Sequence, residues 1–125
     1  MKLLIVDDEF DLCCLLKEHF EEHFDSEVFT ATTPAEALRL LEKVQPEGML
    51  LDINLRARLN GFDVLARTAE LSPETKVIMV TGSEDFESIE KAINLGAVDY
   101  ITKPFTVEYL EETVDKKIAA HLIYA

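Results

Sequence analysis

The stretch Leu3-Leu4-Ile5-Val6-Asp7-Asp8-Glu9 contains a short apolar run that ends abruptly in three acidic residues. A continuous apolar run of this length predicts a strand that is covered by helices on both of its faces. Apolar runs recur at four later places, and amphipathic segments with helical spacing separate them. The later runs are Val28-Phe29, Met49-Leu50-Leu51, Val77-Ile78-Met79-Val80 and Val98 to Ile101.

The segments between the runs predict five helices. The first carries apolar residues at helical spacing, and the second begins at the N-cap Thr33. The third runs from about Gly61 to Leu71, and the fourth ends at Gly96. The apolar positions that mark the first and fifth helices are Leu12, Leu15, Leu16, Phe20 and Phe24, and Val107, Leu110, Val114, Ile118 and Leu122. This (βα)5 order predicts an α/β fold with a parallel sheet and right-handed crossovers. The second apolar run is the weakest, so we expect its strand at the edge of the sheet, in the strand order 2-1-3-4-5.

Length and charge exclude several classes of protein. A chain of 125 residues is the usual size of one domain, so we expect a single domain over residues 1–125. The chain has 12 basic and 25 acidic residues, and its net charge of −13 argues against direct binding of nucleic acid or anionic membranes. A hydrophobic content of 48% argues against disorder.

The compartment is predicted from the N-terminus and the cysteines. The N-terminal residues lack the pattern of a signal peptide, and no apolar stretch approaches the roughly 20 residues of a membrane span. Cys13 and Cys14 are adjacent, which makes a structural disulfide between them implausible. Free thiols in such a chain predict a cytoplasmic protein.

Polar residues follow four of the predicted strands at their carboxyl ends, where ligand sites of parallel sheets form. Asp7-Asp8-Glu9, Asp52, Thr81 and Lys103 therefore converge on one crevice. Clustered carboxylates suit Mg²⁺, and an ammonium group suits a phosphoryl group. Each residue also has a simpler interpretation, as a helix cap, a turn residue or a surface lysine. Taken together, the residues favour one functional site.

The sequence resembles the receiver domain of bacterial two-component response regulators from Leu3 to about Leu122. The matching motifs are Val6-Asp7-Asp8, Leu50-Leu51-Asp52, Val80-Thr81-Gly82 and Lys103-Pro104-Phe105, with a close match over Gly96 to Pro104. The resemblance implies the flavodoxin-like (βα)5 fold, with helices on both faces of the sheet. It also implies a signalling module that catalyses its own phosphorylation and dephosphorylation and is not an enzyme with a turnover substrate.

The resemblance also implies residue roles. Asp52 matches the aspartate that accepts a phosphoryl group from a histidine kinase or a phosphotransfer protein. Asp7, Asp8, Asp52 and the backbone carbonyl of Asn54 match the Mg²⁺ ligands. Thr81 and Lys103 match the residues that contact the phosphoryl group. With Thr81, Tyr100 matches the switch that alters the surface of helix four, strand five and helix five.

That surface implies contacts with a target protein or an output domain, and the sequence leaves open whether an output domain follows residue 125. A homodimer that forms on phosphorylation is also left open. The loop after Asp52 departs from the family pattern: it looks one residue longer and carries Arg56 and Arg58. A solvated loop variant and an effect on kinase docking or phosphoryl lifetime are the two interpretations.

Two other functions are weighed against the receiver. A flavin carrier of similar fold needs a phosphate-binding loop after strand one, where this chain has acids. A phosphohydrolase with an aspartyl intermediate needs an acid two residues after the nucleophile, where this chain has Asn54. His19 and His23 lie four residues apart and could share a metal, but the sequence offers no evident third ligand.

Overall fold

In the computed structural model, which describes residues 1–56, 59–82 and 86–124, five parallel strands form one sheet in the order β2-β1-β3-β4-β5. The predicted strand order is therefore confirmed. Arg58, one of the two loop arginines, lies outside the described residues. The strands are β1 (Lys2–Val6), β2 (Glu27–Ala31), β3 (Gly48–Asp52), β4 (Lys76–Thr81) and β5 (Asp99–Thr102).

Helices connect the strands and follow the last one. They are α1 (Phe10–His23), α2 (Pro34–Val44), α3 (Gly61–Leu71), α4 (Phe86–Asn94) and α5, which spans 107–123. Helix α5 alternates between α-helical turns (Val107–Tyr109 and Asp115–Ile118) and π-helical turns (Leu110–Val114 and Ala119–Ile123). Within the described ranges, no helix combines the length and the apolar character that crossing a bilayer requires.

Two apolar clusters cover the two faces of the sheet. Alternate strand residues point to opposite faces, so Leu3 and Ile5 join one cluster and Leu4 and Val6 join the other. The first cluster packs under α1 and α5, and the second packs under α2, α3 and α4. Because both faces are covered, the strands β1, β3 and β4 carry continuous apolar runs, as the sequence predicts.

Some predicted core positions are exposed. Leu15 is 51% exposed although Leu16 beside it is buried, because neighbouring helical residues point about 100° apart. Val107, at the first turn of α5, is 69% exposed. Val98 precedes β5 rather than starting it, and its side chain is also exposed.

The start of α3 packs directly against the end of β3. Asn60 caps the helix reciprocally: its side chain accepts the Asp63 N–H, and the Asp63 carboxylate accepts the Asn60 N–H. Gly61 donates its N–H to the Ile53 carbonyl at 2.9 Å. A Cβ at Gly61 would lie 2.7 Å from the Ile53 Cα and would also overlap the Asp52 carbonyl. Only glycine therefore allows this close approach, which positions the backbone around Asp52.

Candidate functional site

The parallel strands bring their carboxyl ends to one edge of the sheet. Asp7 follows β1, Asp52 ends β3, Thr81 ends β4 and Lys103 follows β5. Backbone hydrogen bonds extend the sheet beyond the strands here: Asp7 donates to Ala31, and Lys103 donates to Thr81. The convergence that the strand-end pattern predicts is thus present in the structure.

Three carboxylates lie together at this edge. Oxygens of Asp7, Asp8 and Asp52 are all within 4.8 Å of one another. Asp7 and Asp52 are almost fully buried, with 2% and 5% of their surface exposed, and Asp8 is half-buried. Burying two carboxylates side by side is unfavourable without a compensating cation.

Lys103 supplies part of that compensation. Its Nζ atom lies 2.8 Å from Asp7 Oδ2 and 3.1 Å from Asp52 Oδ2. The peptide bond between Lys103 and Pro104 is cis. One ammonium group therefore bridges two carboxylates, and the cluster keeps a net negative charge that attracts a cation.

Backbone amides hold the other carboxylate oxygens. The Asn54 N–H donates to Asp52 Oδ1 at 2.9 Å, and the Glu9 N–H donates to Asp7 Oδ1 at 2.9 Å. Each bond spans two residues, so each aspartate is oriented by its own loop. The Asn54 side chain is exposed, and the residue's contribution inside the cluster comes from its backbone.

The environment shifts the pKa of both central groups. Burial, together with the charge of Asp7, raises the pKa of Asp52, although the Asn54 N–H and Lys103 oppose this shift. Burial alone would lower the pKa of Lys103, but its hydrogen bonds to Asp7 and Asp52 outweigh burial and raise it. Lys103 is therefore firmly cationic. The ionised form of Asp52 is disfavoured by burial, and an additional cation would stabilise it.

An open cleft lies above the acid cluster. Its lining residues are Asp8, Glu9, Asp52, Asn54, Arg56, Gly82 and Lys103. Arg56 has a left-handed backbone (φ 48°) and places its Nε atom 3.5 Å from Asp8 Oδ2. Glu9, which the sequence groups with Asp7 and Asp8 at the end of β1, lines this cleft as well, although no ligand or phosphoryl role was predicted for it. Acids around the cleft disfavour the phosphate of a flavin.

Thr81 and Tyr100 occupy different positions relative to the cluster. Thr81 is buried on β4, one residue beyond Val80, which pairs with Asp52 across the sheet. Tyr100 lies farther back on β5, half-buried against the cluster under α2, α3 and α4. The Nζ atom of Lys117 is 4.8 Å from the centroid of its ring. Thr81 is thus beside the site, whereas Tyr100 is a half-buried residue of the edge strand β5.

Tyr109 is a residue that the sequence analysis missed. Its hydroxyl oxygen accepts the Thr102 N–H at 2.9 Å, directly before Lys103. The Tyr109 ring also stacks on Phe105, with 6.2 Å between the ring centroids. Helix α5 is thereby attached to the end of β5, and no local sequence pattern signals this contact.

Comparisons with known proteins agree on one family. Residues 3–115 match the model of the response regulator receiver domain. The chain is 30% identical to sporulation initiation phosphotransferase F of Bacillus subtilis over 115 residues, which cover 92% of this chain and 91% of that protein. It is 31% identical to chemotaxis protein CheY of Listeria monocytogenes over 116 residues, which cover 93% of this chain and 97% of that protein.

A solved structure gives the same result. The crystal structure of NtrX from Brucella abortus superposes with a TM-score of 0.84 at 30% identity, covering 96% of this chain and 28% of that chain. The chain therefore spans nearly all of the two shorter relatives but little more than a quarter of NtrX. The family match over residues 3–115 includes every strand end that carries a predicted site residue.

Proposed function

The chain belongs to the response regulator receiver domain family, and from this premise we propose that Asp52 accepts a phosphoryl group from a partner protein. Receiver domains are signalling domains that interact with histidine kinases or phosphotransfer proteins. The observation that carries the proposal is the buried Asp52 carboxylate, held by the Asn54 N–H on one oxygen and by Lys103 on the other.

The transfer step follows from this geometry. A carboxylate oxygen of Asp52 attacks phosphorus, and the new P–O bond forms as the P–N bond of the donor's phosphohistidine breaks. The electron pair of that bond returns to the donor's imidazole nitrogen. Lys103 lies where its ammonium can pair with the phosphoryl oxygens as charge moves onto Asp52. Attack by water later hydrolyses the acyl phosphate and restores Asp52.

The acid cluster fits a bound Mg²⁺ ion. Hard carboxylate and carbonyl oxygens are its preferred ligands, and Asp7, Asp8, Asp52 and the Asn54 carbonyl would supply them. When bound, the ion would offset the negative charge of the incoming phosphoryl group. Asp8 Oδ2 pairs with Arg56 in this structure, and the positive charge of Arg56 would oppose the binding of a cation at this carboxylate.

Thr81 and Tyr100 would transmit the change to the surface. The Thr81 hydroxyl, at the end of β4, would move toward the phosphoryl group, and Tyr100 would repack on β5. The surface of α4, β5 and α5 would then change the affinity for its target. A charge change that biases one of two packings is sufficient for such a switch.

The proposal also includes the domain organisation, the cellular compartment and the partners of the chain. Residues 1–125 would form one receiver unit, acting alone or joined to an output domain in a longer chain. The unit would work in the cytoplasm, where its thiols Cys13 and Cys14 stay reduced and where a kinase or phosphotransfer protein can reach Asp52. Phosphorylation would favour binding of a target, an output domain or a second copy through α4, β5 and α5.

Intact mass spectrometry tests the proposal. The protein is incubated with acetyl phosphate, with Mg²⁺ or with EDTA, beside Asp52→Ala and the exposed control Asp25→Ala. We expect one phosphoryl adduct that needs both Mg²⁺ and Asp52 and that persists in Asp25→Ala. Beryllofluoride, a stable phosphoryl mimic, covers the case of a short-lived adduct. An adduct on Asp52→Ala, or binding of neither phosphoryl group nor mimic, would overturn the assignment.

A further inference from the structure

A second group of metal-ligating side chains lies between the first and last helices. His19 and His23 are one turn apart on α1, and Asp115 projects toward them from α5. His19 Nε2 lies 2.9 Å from Asp115 Oδ1, and His23 Nδ1 lies 3.1 Å from Asp115 Oδ2. The third ligand that the local sequence does not provide comes from a residue 96 positions after His19.

The three side chains are already close to the geometry of a metal site. One ligand atom from each residue lies within 4.8 Å of the others, and the two imidazole rings have centroids 4.0 Å apart. Two ligand atoms bound to a tetrahedral zinc ion lie about 3.4 Å apart, given bonds of about 2.1 Å. The observed separations of 2.9–3.1 Å therefore need only a small outward movement to admit an ion.

Burial and support also suit a metal site. The side chains of His19 and Asp115 are 11% and 15% exposed, and that of His23 is 33% exposed. An ion can thus enter from solvent, and one position remains for water. The His19 ring packs edge-on against Phe20, which is fully buried under α1 and α5. This packing restrains one ligand before any metal arrives.

The site is separate from the acid cluster at the strand ends. Helix α1 begins near that cluster, and His23 is 13 residues after Phe10, roughly 20 Å along the helix axis. Two imidazole nitrogens and one carboxylate favour a borderline ion such as Zn²⁺ over Mg²⁺, which prefers oxygen ligands alone. The two sites would therefore select different metals.

We propose that His19, His23 and Asp115 form a Zn²⁺ site that joins α1 to α5. The ligands are His19 Nε2, His23 Nδ1 and one oxygen of Asp115, and water completes the tetrahedron. The excess of acidic residues in the chain favours cation binding in general. The inference rests on contacts outside the phosphoacceptor site, so it stands or falls independently of the role of Asp52.

Zinc titration by calorimetry tests the site, with saturating Mg²⁺ added to compete for the acid cluster. His19→Gln, His23→Gln and Asp115→Asn each remove one ligand. His121→Gln is the matched control, because His121 also contacts an aspartate, Asp99, at 3.0 Å. We expect each ligand variant to bind zinc at least about tenfold more weakly than the wild type, the scale seen when even an outer contact of a metal site is lost. The control should keep wild-type affinity.

Thermal unfolding gives a second readout, measured first without zinc to establish that every variant folds. Zinc at about 100 times its dissociation constant should raise the Tm of the wild type and of His121→Gln by about 8 °C. The Tm of the ligand variants should scarcely move. The proposal is overturned if the wild type binds no zinc, if His19→Gln and Asp115→Asn bind it as the wild type does, or if His121→Gln loses it equally.

Discussion

Lys103 Nζ lies 3.1 Å from Asp52 Oδ2, so a side chain that follows β5 reaches the end of β3 across the intervening strand β4. The same ammonium contacts Asp7 at 2.8 Å. Within the described residues, no other lysine or arginine makes an ion pair with either of these carboxylates. The local charge balance therefore depends on Lys103.

Lys103→Met should leave Asp7 and Asp52 buried without their cation. We expect a loss of about 3 kcal/mol in the free energy of unfolding in EDTA, the usual cost of removing one partner of a buried pair. Mg²⁺ should restore more stability to this variant than it adds to the wild type. Urea denaturation with and without Mg²⁺ measures both effects. Lys43→Met, at an exposed site on α2, should change little; equal stability of the two variants would contradict the prediction.

Arg56→Ala should tighten Mg²⁺ binding, because Arg56 competes with the ion for Asp8. The Arg56 side chain is 81% exposed, so the pair is weak, and we expect affinity to rise only about two- to threefold. Calorimetric titration with Mg²⁺ measures the change. Arg67→Ala removes another exposed pair, with Glu70, and should leave Mg²⁺ affinity unchanged. Weaker binding in Arg56→Ala would mean that Arg56 supports the site.

Gly61→Ala should destabilise the protein, since the added Cβ would overlap the backbone of Asp52 and Ile53. Overpacking of this kind costs about 1–3 kcal/mol, and here it would also displace Asp52. Thermal unfolding measures the first effect, and the rate of adduct formation with acetyl phosphate measures the second. Gly82→Ala is the control for stability, because a Cβ there meets no atom within 4 Å. Equal melting temperatures would show that α3 can shift freely.

Asp99→Asn should reveal a pH-dependent contribution to stability. Burial alone would raise the pKa of Asp99, but hydrogen bonds from His121 and Lys117 outweigh it and lower the pKa below its ordinary value of 3.8. The folded state then binds this proton less readily than the unfolded state, so Asp99 stabilises the fold above pH 3.8. That contribution is lost as pH falls through the lowered pKa.

We therefore expect Asp99→Asn to be less stable than the wild type at pH 7, by less than about 1 kcal/mol because the pair is partly exposed. The difference should narrow below pH 3.8. Urea midpoints measured at several pH values follow it, with Asp25→Asn as an exposed control. A stability difference between Asp99→Asn and the wild type that stays constant down to acidic pH would show that the ionised carboxylate of Asp99 does not stabilise the fold.

Local sequence patterns were sufficient to predict much of the fold. Continuous apolar runs identify buried strands because a strand covered on both faces has no polar face, and the run at Leu3 to Val6 has this form. Parallel strands share one carboxyl edge, so Asp7, Asp52, Thr81 and Lys103 could be grouped before their distances were known. The solvent exposure of single side chains was harder to predict. Leu15 fits the apolar pattern of a core residue, but its position around α1 turns its side chain toward solvent.

The sequence by itself thus determined the alternation of strands and helices, the family and the residues at the strand ends, because each depends on short-range periodicity and on motifs a few residues long. Tertiary structure alone decided that Arg56 reaches Asp8, that Gly61 packs on Asp52, and that Asp115 meets His19 and His23. The physical reason is that these contacts form between elements packed side by side, up to 96 residues apart in the chain. Their side chains meet only through helix placement on the sheet, which no local spacing encodes.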